Sequence, residues 1–162
     1  MKKILALLLM VVMSVTLLAG CGTDPIQADL ENFLNVEMTD VNINYNRLTE
    51  EVGKWETYED DAQILASIND TLLPLVESSL TALKDINPET EEVKAIKDKY
   101  VKVMDTYKVA FETLAEGCET QEDETINAGS AKLEEAVELL DEYNKALEEL
   151  AAKFDLEVEY WF

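Results

Sequence analysis

The residue types that carry most catalytic chemistry are scarce in this chain of 162 residues, which has no histidine. Ser-His-Asp and Cys-His catalysis, histidine-containing zinc sites and the Glu-x-x-His pairs of di-iron bundles are therefore excluded. Arg47 is the only arginine, which disfavours clustered recognition of phosphate. Carboxylates, tyrosines and lysines remain for acid–base work, but no spacing pairs them. We expect no enzymatic activity and no cofactor.

One of the two cysteines, Cys21, ends an amino-terminal segment that differs from the rest of the chain. Lys2 and Lys3 give this segment a positive start, and residues 4–18 are apolar apart from one serine and one threonine. The apolar part is roughly 15 residues long, whereas a helix needs about 20 to span a bilayer. A basic start, a short apolar core and small residues at the end are typical of an export signal.

The sequence Leu18-Ala19-Gly20-Cys21 resembles the lipobox of bacterial prolipoproteins. The resemblance implies that residues 1–20 are a signal peptide cleaved between Gly20 and Cys21, and that the Cys21 sulfur carries a diacylglyceryl group. Two acyl chains anchor a protein stably, where one is marginal. The resemblance therefore implies a lipid anchor in the cell membrane, the extracytoplasmic face, and a short lipidated tether at 21–24. An apolar helix with an accidental cysteine is the alternative.

The charge of the chain limits its partners. It has 13 Lys and Arg residues against 35 Asp and Glu residues, a net charge of −22, which becomes −24 when Lys2 and Lys3 leave with the signal. A protein this acidic repels nucleic acid and anionic lipid head groups. We expect no nucleic acid partner, and expect a cationic, divalent or apolar partner in the cell envelope.

The region after Cys21 is predicted to be all-α, because its apolar residues recur three and four positions apart. Four helices are expected, separated by local start and stop signals. These are Asp24-Pro25 before helix A, Thr57-Tyr58-Glu59-Asp60 before helix B, Asn87-Pro88-Glu89 before helix C, Gly117 at the end of helix C and Thr120-Gln121-Glu122-Asp123 before helix D. The alternation in 41–46 resembles a strand, but the helical pattern continues across it.

Short connections between these helices predict an antiparallel up-down four-helix bundle over 25–155. Pro74 lies inside helix B, where it removes a backbone donor and predicts a kink. A bad break there would give a three-helix arrangement instead. The domain resembles the small helical lipoproteins of Gram-positive bacteria, a resemblance that carries over no functional residue apart from Cys21.

In an up-down order, the A–B and C–D turns lie at the end of the bundle far from the lipid. Both turns are acidic, and their carboxylates are weak candidates for a site that binds a divalent cation or a basic partner: Glu59, Asp60, Asp61, Glu122, Asp123 and Glu124. Acidic residues in first helical turns also simply complement the helix dipole, and this is the favoured interpretation.

The same order places the aromatic tail, residues 156–162, near the membrane. Tyr160, Trp161 and Phe162 are weak candidates for a second membrane contact, because aromatic rings favour the interface. Alternatively, they close the bottom of the core.

Two further residue sets have both a structural and a functional interpretation. Four tyrosines at helical spacing are expected in the core, with a ligand slot between helices as the alternative: Tyr45, Tyr100, Tyr107 and Tyr143. Cys118 is expected to be a small residue near a helix end, with a redox or dimer-forming role as the alternative.

Together these features predict a membrane-anchored, extracytoplasmic lipoprotein that acts as a non-catalytic binding module. The alternative is a lipoprotein that binds a ligand between its helices or a divalent cation at the acidic distal end.

Overall fold

A computed structural model describes residues 13–15 and 24–160 of the chain. The expectation of an all-α bundle is confirmed, because helical residues make up nearly all of this part. The elements are strand β1 (Met13–Val15) and helices α1 (Pro25–Asn32), α2 (Thr39–Gly53), α3 (Asp61–Ser67), α4 (Leu73–Asp85), α5 (Glu91–Thr120) and α6 (Asp123–Ala151), followed by strand β2 (Val158–Tyr160). Two short 3-10 helices, Lys54–Thr57 and Ala152–Phe154, follow α2 and α6.

Predicted helix A begins as expected. The Asp24 carboxylate accepts a hydrogen bond of 2.8 Å from the Ile26 N–H, and Pro25 occupies the first turn. The strand-like stretch at 41–46 is helical, as expected, and lies within α2.

A turn of π-helix, Phe33–Glu37, separates α1 from α2, and no signal in the sequence predicts it. The Met38 N–H reaches back five residues to the Phe33 carbonyl at 2.9 Å.

Helix B continues through Pro74 without a break, as α3, a second π-turn (Ile68–Leu72) and α4. Pro74 lacks an N–H, and its ring clashes with the carbonyl four residues earlier, so an α-helical turn is costly there. The chain adopts π geometry in the preceding turn, where the Leu73 N–H bonds to the Ile68 carbonyl. The break that would have left three helices is not observed.

Helices α5 and α6 pack against each other in antiparallel directions. The Tyr100 ring contacts the Tyr143 ring, with centroids 4.8 Å apart. Towards the end of α5, a Cβ on Gly117 would lie 2.7 Å from the Ile126 backbone nitrogen. Residues later in α5 therefore contact residues earlier in α6, as expected for an antiparallel pair of helices.

The apolar face of every helix meets in one core. Helix α4 packs between α2 and α5, and α1 contacts α5. Among the described residues, the largest fully buried side chains include Tyr45, Tyr107, Phe33 and Phe111.

The two strands pair antiparallel, with Ser14 opposite Glu159. Because β1 lies inside the segment that resembles a signal peptide, this pairing belongs to the full-length chain and is lost if residues 1–20 are removed.

Candidate functional site

The two acidic turns lie at the same end of the molecule, which we call the acidic end (residues 54–61 and 117–124). The first turn leads into α3 and the second joins α5 to α6. The charge of Asp61 in the first turn acts on Cys118 in the second: burial raises the pKa of the Cys118 thiol, and the Asp61 charge adds to the rise. Helices α3 and α5 also pack on each other. The two acidic turns predicted from the sequence are therefore neighbours.

The start of α3 is not where the capping-box pattern indicates. Thr57 lies in a 3-10 helix, and its hydroxyl donates to the Lys54 carbonyl at 2.7 Å. The N-cap is Asp60, whose carboxylate accepts the Gln63 N–H at 3.0 Å. The Gln63 side chain accepts the Glu59 N–H at 2.6 Å in return. Reciprocal capping bonds are therefore present, as predicted, but the N-cap is Asp60, three residues after Thr57.

The turn between α5 and α6 also differs from expectation. Gly117 does not end α5, which continues to Thr120 and stops where Gln121 adopts a left-handed conformation with φ of 56°. Glu122 is the N-cap residue of α6, but its side chain makes no capping hydrogen bond. Thr120, the proposed cap, instead lies in α5 and donates to the Glu116 carbonyl at 2.9 Å.

Gly117 and Gly129 have a packing role. A Cβ on Gly129 would lie 2.7 Å from Leu114 Cγ and 2.9 Å from the Leu114 backbone nitrogen. The absence of side chains at these two glycines allows α5 and α6 to approach closely next to the acidic end.

Beneath the acidic end lies a buried polar network centred on Glu51, a residue that no sequence pattern singles out. Its Oε1 accepts hydrogen bonds from the Tyr58 and Ser67 hydroxyls, both at 2.8 Å, and its Oε2 accepts from Lys54 Nζ at 2.6 Å. The Trp55 indole donates to the Ser67 hydroxyl at 3.0 Å. This network fastens the end of α2 to α3 and thereby fixes the first acidic turn.

Hydrogen bonding sets the charge state of Glu51. Burial alone would raise the pKa of this carboxyl, but the hydrogen bonds from Lys54, Ser67 and Tyr58 outweigh it and lower the pKa below the ordinary value. Glu51 is therefore ionised at neutral pH. Both of its carboxylate oxygens accept hydrogen bonds from neighbouring side chains, which makes it a structural residue.

The candidate cation ligands at the acidic end are mostly exposed: Glu59, Asp60, Glu122, Asp123 and Glu124 are exposed, and Asp61 is half-buried. Within the described ranges, 13–15 and 24–160, no group of three or more Asp, Glu or Cys side chains is arranged to hold a metal ion. Asp60 is already used as an N-cap. Cation binding at this end stays a prediction.

The opposite end of the bundle is fixed by Asp29, which the sequence gives no reason to single out. This buried carboxylate in α1 accepts hydrogen bonds from the Glu89 N–H at 3.0 Å, the Thr90 N–H at 2.8 Å and the Thr90 hydroxyl at 2.5 Å. Helix α5 therefore begins after Thr90, and its first turn is capped from another helix, not from Asn87-Pro88-Glu89 as predicted.

At the same end of the bundle, Lys97 Nζ donates a hydrogen bond of 2.7 Å to the carbonyl of Ile86, the residue that follows α4. The start of α1, the end of α4 and the start of α5 therefore lie together. We call this the α1 end.

The residues at the two chain termini are only partly described. Gly20, Cys21, Trp161 and Phe162 lie outside the described residues, so the lipidation and membrane-contact predictions are not tested there. The backbone of Tyr160 is extended in β2. Leu156 is buried and its N–H bonds to the Ala151 carbonyl at 3.1 Å, which holds the start of the tail against the end of α6.

The four tyrosines form part of the core, as the favoured interpretation predicted, and none is more than 2% exposed. Tyr45 and Tyr107 have ring centroids 6.3 Å apart, and Tyr107 stacks on Phe111 at 6.0 Å. Burial raises the pKa of Tyr107 to about 12, and it also raises the pKa of Tyr45 and of Tyr100. These three phenols are therefore protonated at neutral pH.

Cys118 is a buried free thiol near the end of α5, in agreement with the favoured structural interpretation. In the part of the chain that the structure describes, no helix is both long enough and apolar enough to cross a bilayer.

An acidic helical bundle that follows a sequence resembling a lipobox is the combination expected of a lipoprotein. The comparison of the sequence with protein families gives the particular family: the model of the EMYY-motif containing lipoprotein matches residues 1–149, and the chain belongs to this family. As a lipoprotein, it is associated with the membrane through a lipid anchor. No curated protein matches the chain. No solved structure matches it either.

The match includes the lipobox-like amino-terminal segment and ends just before the end of α6, so the aromatic tail lies beyond it. The letters of the family description, read as residues, spell Glu-Met-Tyr-Tyr, which does not occur in this sequence. The only Glu-Met pair is Glu37-Met38, which is followed by Thr39-Asp40. Glu37 is the last residue of the first π-turn, and Met38 is buried.

Proposed function

We propose that this lipoprotein is a non-catalytic interaction module, held on the extracytoplasmic face of the cell membrane by a diacylglyceryl group on Cys21. The observation that carries the proposal is the match to a lipoprotein family from residue 1, which includes the lipobox-like sequence. The described carboxylates support the absence of catalysis. The best-buried of them, Asp29 and Glu51, are hydrogen-bonded to neighbouring donors and hold helices together.

The contacts at the two ends support an up-down order and a defined orientation. Asp29 joins α1 to the start of α5, whereas α3 packs against α5 and its first residue, Asp61, acts electrostatically on Cys118 near the end of α5. Because only two residues separate Cys21 from Asp24, the α1 end faces the membrane in this proposal. The acidic end then projects outward by about 45 Å, the length of a helix of some 30 residues.

The proposed binding surface is the acidic end, and its partner is a protein or polymer with positive charge. The carboxylates of Glu122, Asp123 and Glu124 are exposed and follow one another at the start of α6. The Glu51 network below and the α5–α6 packing fix both acidic turns, so a partner meets a preformed surface. A net charge of −24 after cleavage, from 11 basic and 35 acidic residues, favours fast association with such a partner.

The anchor is tested with Cys21→Ala in the native bacterium, using a clickable fatty acid and membrane fractionation. Cys118→Ala is the matched control, because it removes the other cysteine and leaves the lipobox-like sequence intact. We expect the Cys21 variant to lose the label and the membrane fraction and the Cys118 variant to keep both. Labelled Cys21→Ala protein would contradict the proposed anchor.

The binding surface is tested by crosslinking in intact membranes with a variant that neutralises Glu122, Asp123 and Glu124 as Gln, Asn and Gln. The matched control replaces three exposed glutamates on the outer face of α6 by glutamine, namely Glu134, Glu138 and Glu142. We expect crosslinked partners to be lost only in the first variant. Equal loss in both variants, or in neither, would contradict a site at the acidic end.

The aromatic tail adds a second contact with the membrane in this proposal. Helix α6 runs antiparallel to α5, so it ends near the α1 end. The Leu156 N–H bonds to the Ala151 carbonyl, so the tail begins at the same end. Trp161 fluorescence of unacylated protein should shift to the blue with zwitterionic vesicles, and the shift should disappear in Trp161→Phe, which retains Trp55. An unchanged spectrum would contradict the contact.

A further inference from the structure

Four buried tyrosines in the core form what we call the tyrosine cluster: Tyr45 on α2, Tyr100 and Tyr107 on α5, and Tyr143 on α6. The rings are in contact in two pairs, Tyr45 with Tyr107 and Tyr100 with Tyr143. Hydrocarbon side chains could fill this part of the core without any hydroxyl group. Buried tyrosine hydroxyls, in contrast, need hydrogen-bond partners.

Two of these hydroxyls have no hydrogen-bond partner among the described residues. They belong to Tyr100 and Tyr107, which are 2% and 0% exposed. The Tyr45 hydroxyl is close enough to lower the pKa of Tyr107 in part, but it does not meet hydrogen-bond geometry with the Tyr107 oxygen. Each hydroxyl therefore offers a donor hydrogen without an acceptor in the part of the chain that the structure describes.

A buried hydroxyl without a partner is costly, and native proteins commonly pair such groups with internal water. We propose that the tyrosine cluster is an internal hydration site, in which ordered water accepts the hydroxyl hydrogens of Tyr100 and Tyr107. Water is the molecule that fits, because the rings are in contact and almost fully enclosed, while donors and acceptors are both present. A molecule of this size needs two to four polar partners, and each pair of rings brings two hydroxyl groups.

The direct test is solution NMR of the full-length protein in detergent, labelled so that tyrosine hydroxyl protons are observed. We expect slowly exchanging hydroxyl signals from Tyr100 and Tyr107 with cross-peaks to long-lived water. Each signal is assigned by its loss in Tyr100→Phe or Tyr107→Phe. Hydroxyl signals without water cross-peaks at both positions would overturn the proposal.

Thermal unfolding of the same variants gives an independent test. If water bonds to these hydroxyls, Tyr100→Phe and Tyr107→Phe should each lower Tm, as should Tyr58→Phe, whose hydroxyl donates to Glu51 at 2.8 Å. If the hydroxyls are unsatisfied, their removal relieves a desolvation cost and Tm should stay equal or rise. An equal or raised Tm in both core variants, with a lowered Tm for Tyr58→Phe, would overturn the proposal.

Discussion

The Asp29 carboxylate accepts a hydrogen bond from the Thr90 N–H, 61 residues further along the chain, at 2.8 Å. A helix start normally takes its cap from its own N-cap side chain, but Thr90 makes no such bond within α5. Its hydroxyl and its N–H both donate to Asp29 instead. These hydrogen bonds link the start of α5 to α1, so the first turn of α5 is capped only when α1 packs against it.

Replacing Asp29 by alanine should therefore cost more than losing an ordinary cap. Three hydrogen bonds to a buried charged acceptor disappear, and we expect the free energy of unfolding to fall by about 2–3 kcal/mol. Asp24→Ala is the matched control, because Asp24 caps α1 through one exposed bond and should cost about 1 kcal/mol. Urea unfolding followed by circular dichroism measures both. Equal losses of unfolding free energy in the two variants would show that the hydrogen bonds between α1 and α5 add no stability beyond that of an ordinary cap.

Two helical glycines should respond in opposite ways to replacement by alanine, because only Gly129 lies where α5 and α6 approach closely. Gly129→Ala should destabilise the protein by about 2 kcal/mol, because its Cβ would meet the Leu114 backbone at 2.9 Å. Gly53→Ala should stabilise it by about 0.5 kcal/mol, because Gly53 is helical and nothing lies within 4 Å of the position that its Cβ would take. Thermal unfolding measures both signs, and a stabilising Gly129→Ala would refute the packing argument.

The helices themselves were predictable from the sequence, whereas several boundaries were not. Apolar spacing of three and four predicts helix C correctly because the whole seam from Val93 to Leu114 is buried. Gly117 illustrates the failure: a glycine near a helix end usually marks its stop, but here the backbone of Ile126 on α6 requires the small residue. That requirement is a contact between helices and leaves no local signal.

The polar residues that define the two ends were missed for the same reason. Asp29 and Glu51 look like ordinary solvent-facing acids in predicted helix A, and only the folded chain brings their donors, such as Thr90 and Ser67, next to them. The acidic residues at the turns were found because their positions depend on chain order alone. The second π-turn follows from Pro74, but a kink was the simpler expectation.

The Glu51 network predicts a loss of stability in acid. The folded-state pKa of Glu51 lies below the ordinary value of 4.5 that applies to the unfolded chain. Its contribution to stability is therefore complete above about pH 4.5 and is lost as the pH falls through the folded-state pKa. Glu51→Gln should remove this part of the pH dependence and destabilise the protein at pH 7 by about 1–3 kcal/mol.

Urea unfolding at pH 7 and at pH 3–4 measures this effect, with Trp55 fluorescence as a local probe in a Trp161→Phe background. Glu50→Gln is the matched control, because Glu50 is the exposed neighbour in the same helix. The stability difference between wild type and Glu51→Gln should narrow in acid, whereas the control should follow wild type. A difference that does not change with pH would show that the charge of Glu51 is not what stabilises the turn.

The environment of Cys118 predicts slow thiol chemistry in the folded protein. Burial raises its pKa above the ordinary value of 9.0, and the Asp61 charge raises it further, so the reactive thiolate is scarce at neutral pH. Labelling with a maleimide at pH 7 should be about tenfold slower in native protein than in urea, and the native rate should still rise with pH beyond about 9. Asp61→Asn should increase the native rate modestly, because it removes the charge and leaves the packing, whereas Glu119→Gln serves as the matched control on the exposed side of α5. Equal rates in native and unfolded protein would place the Cys118 thiol at the surface and contradict its burial.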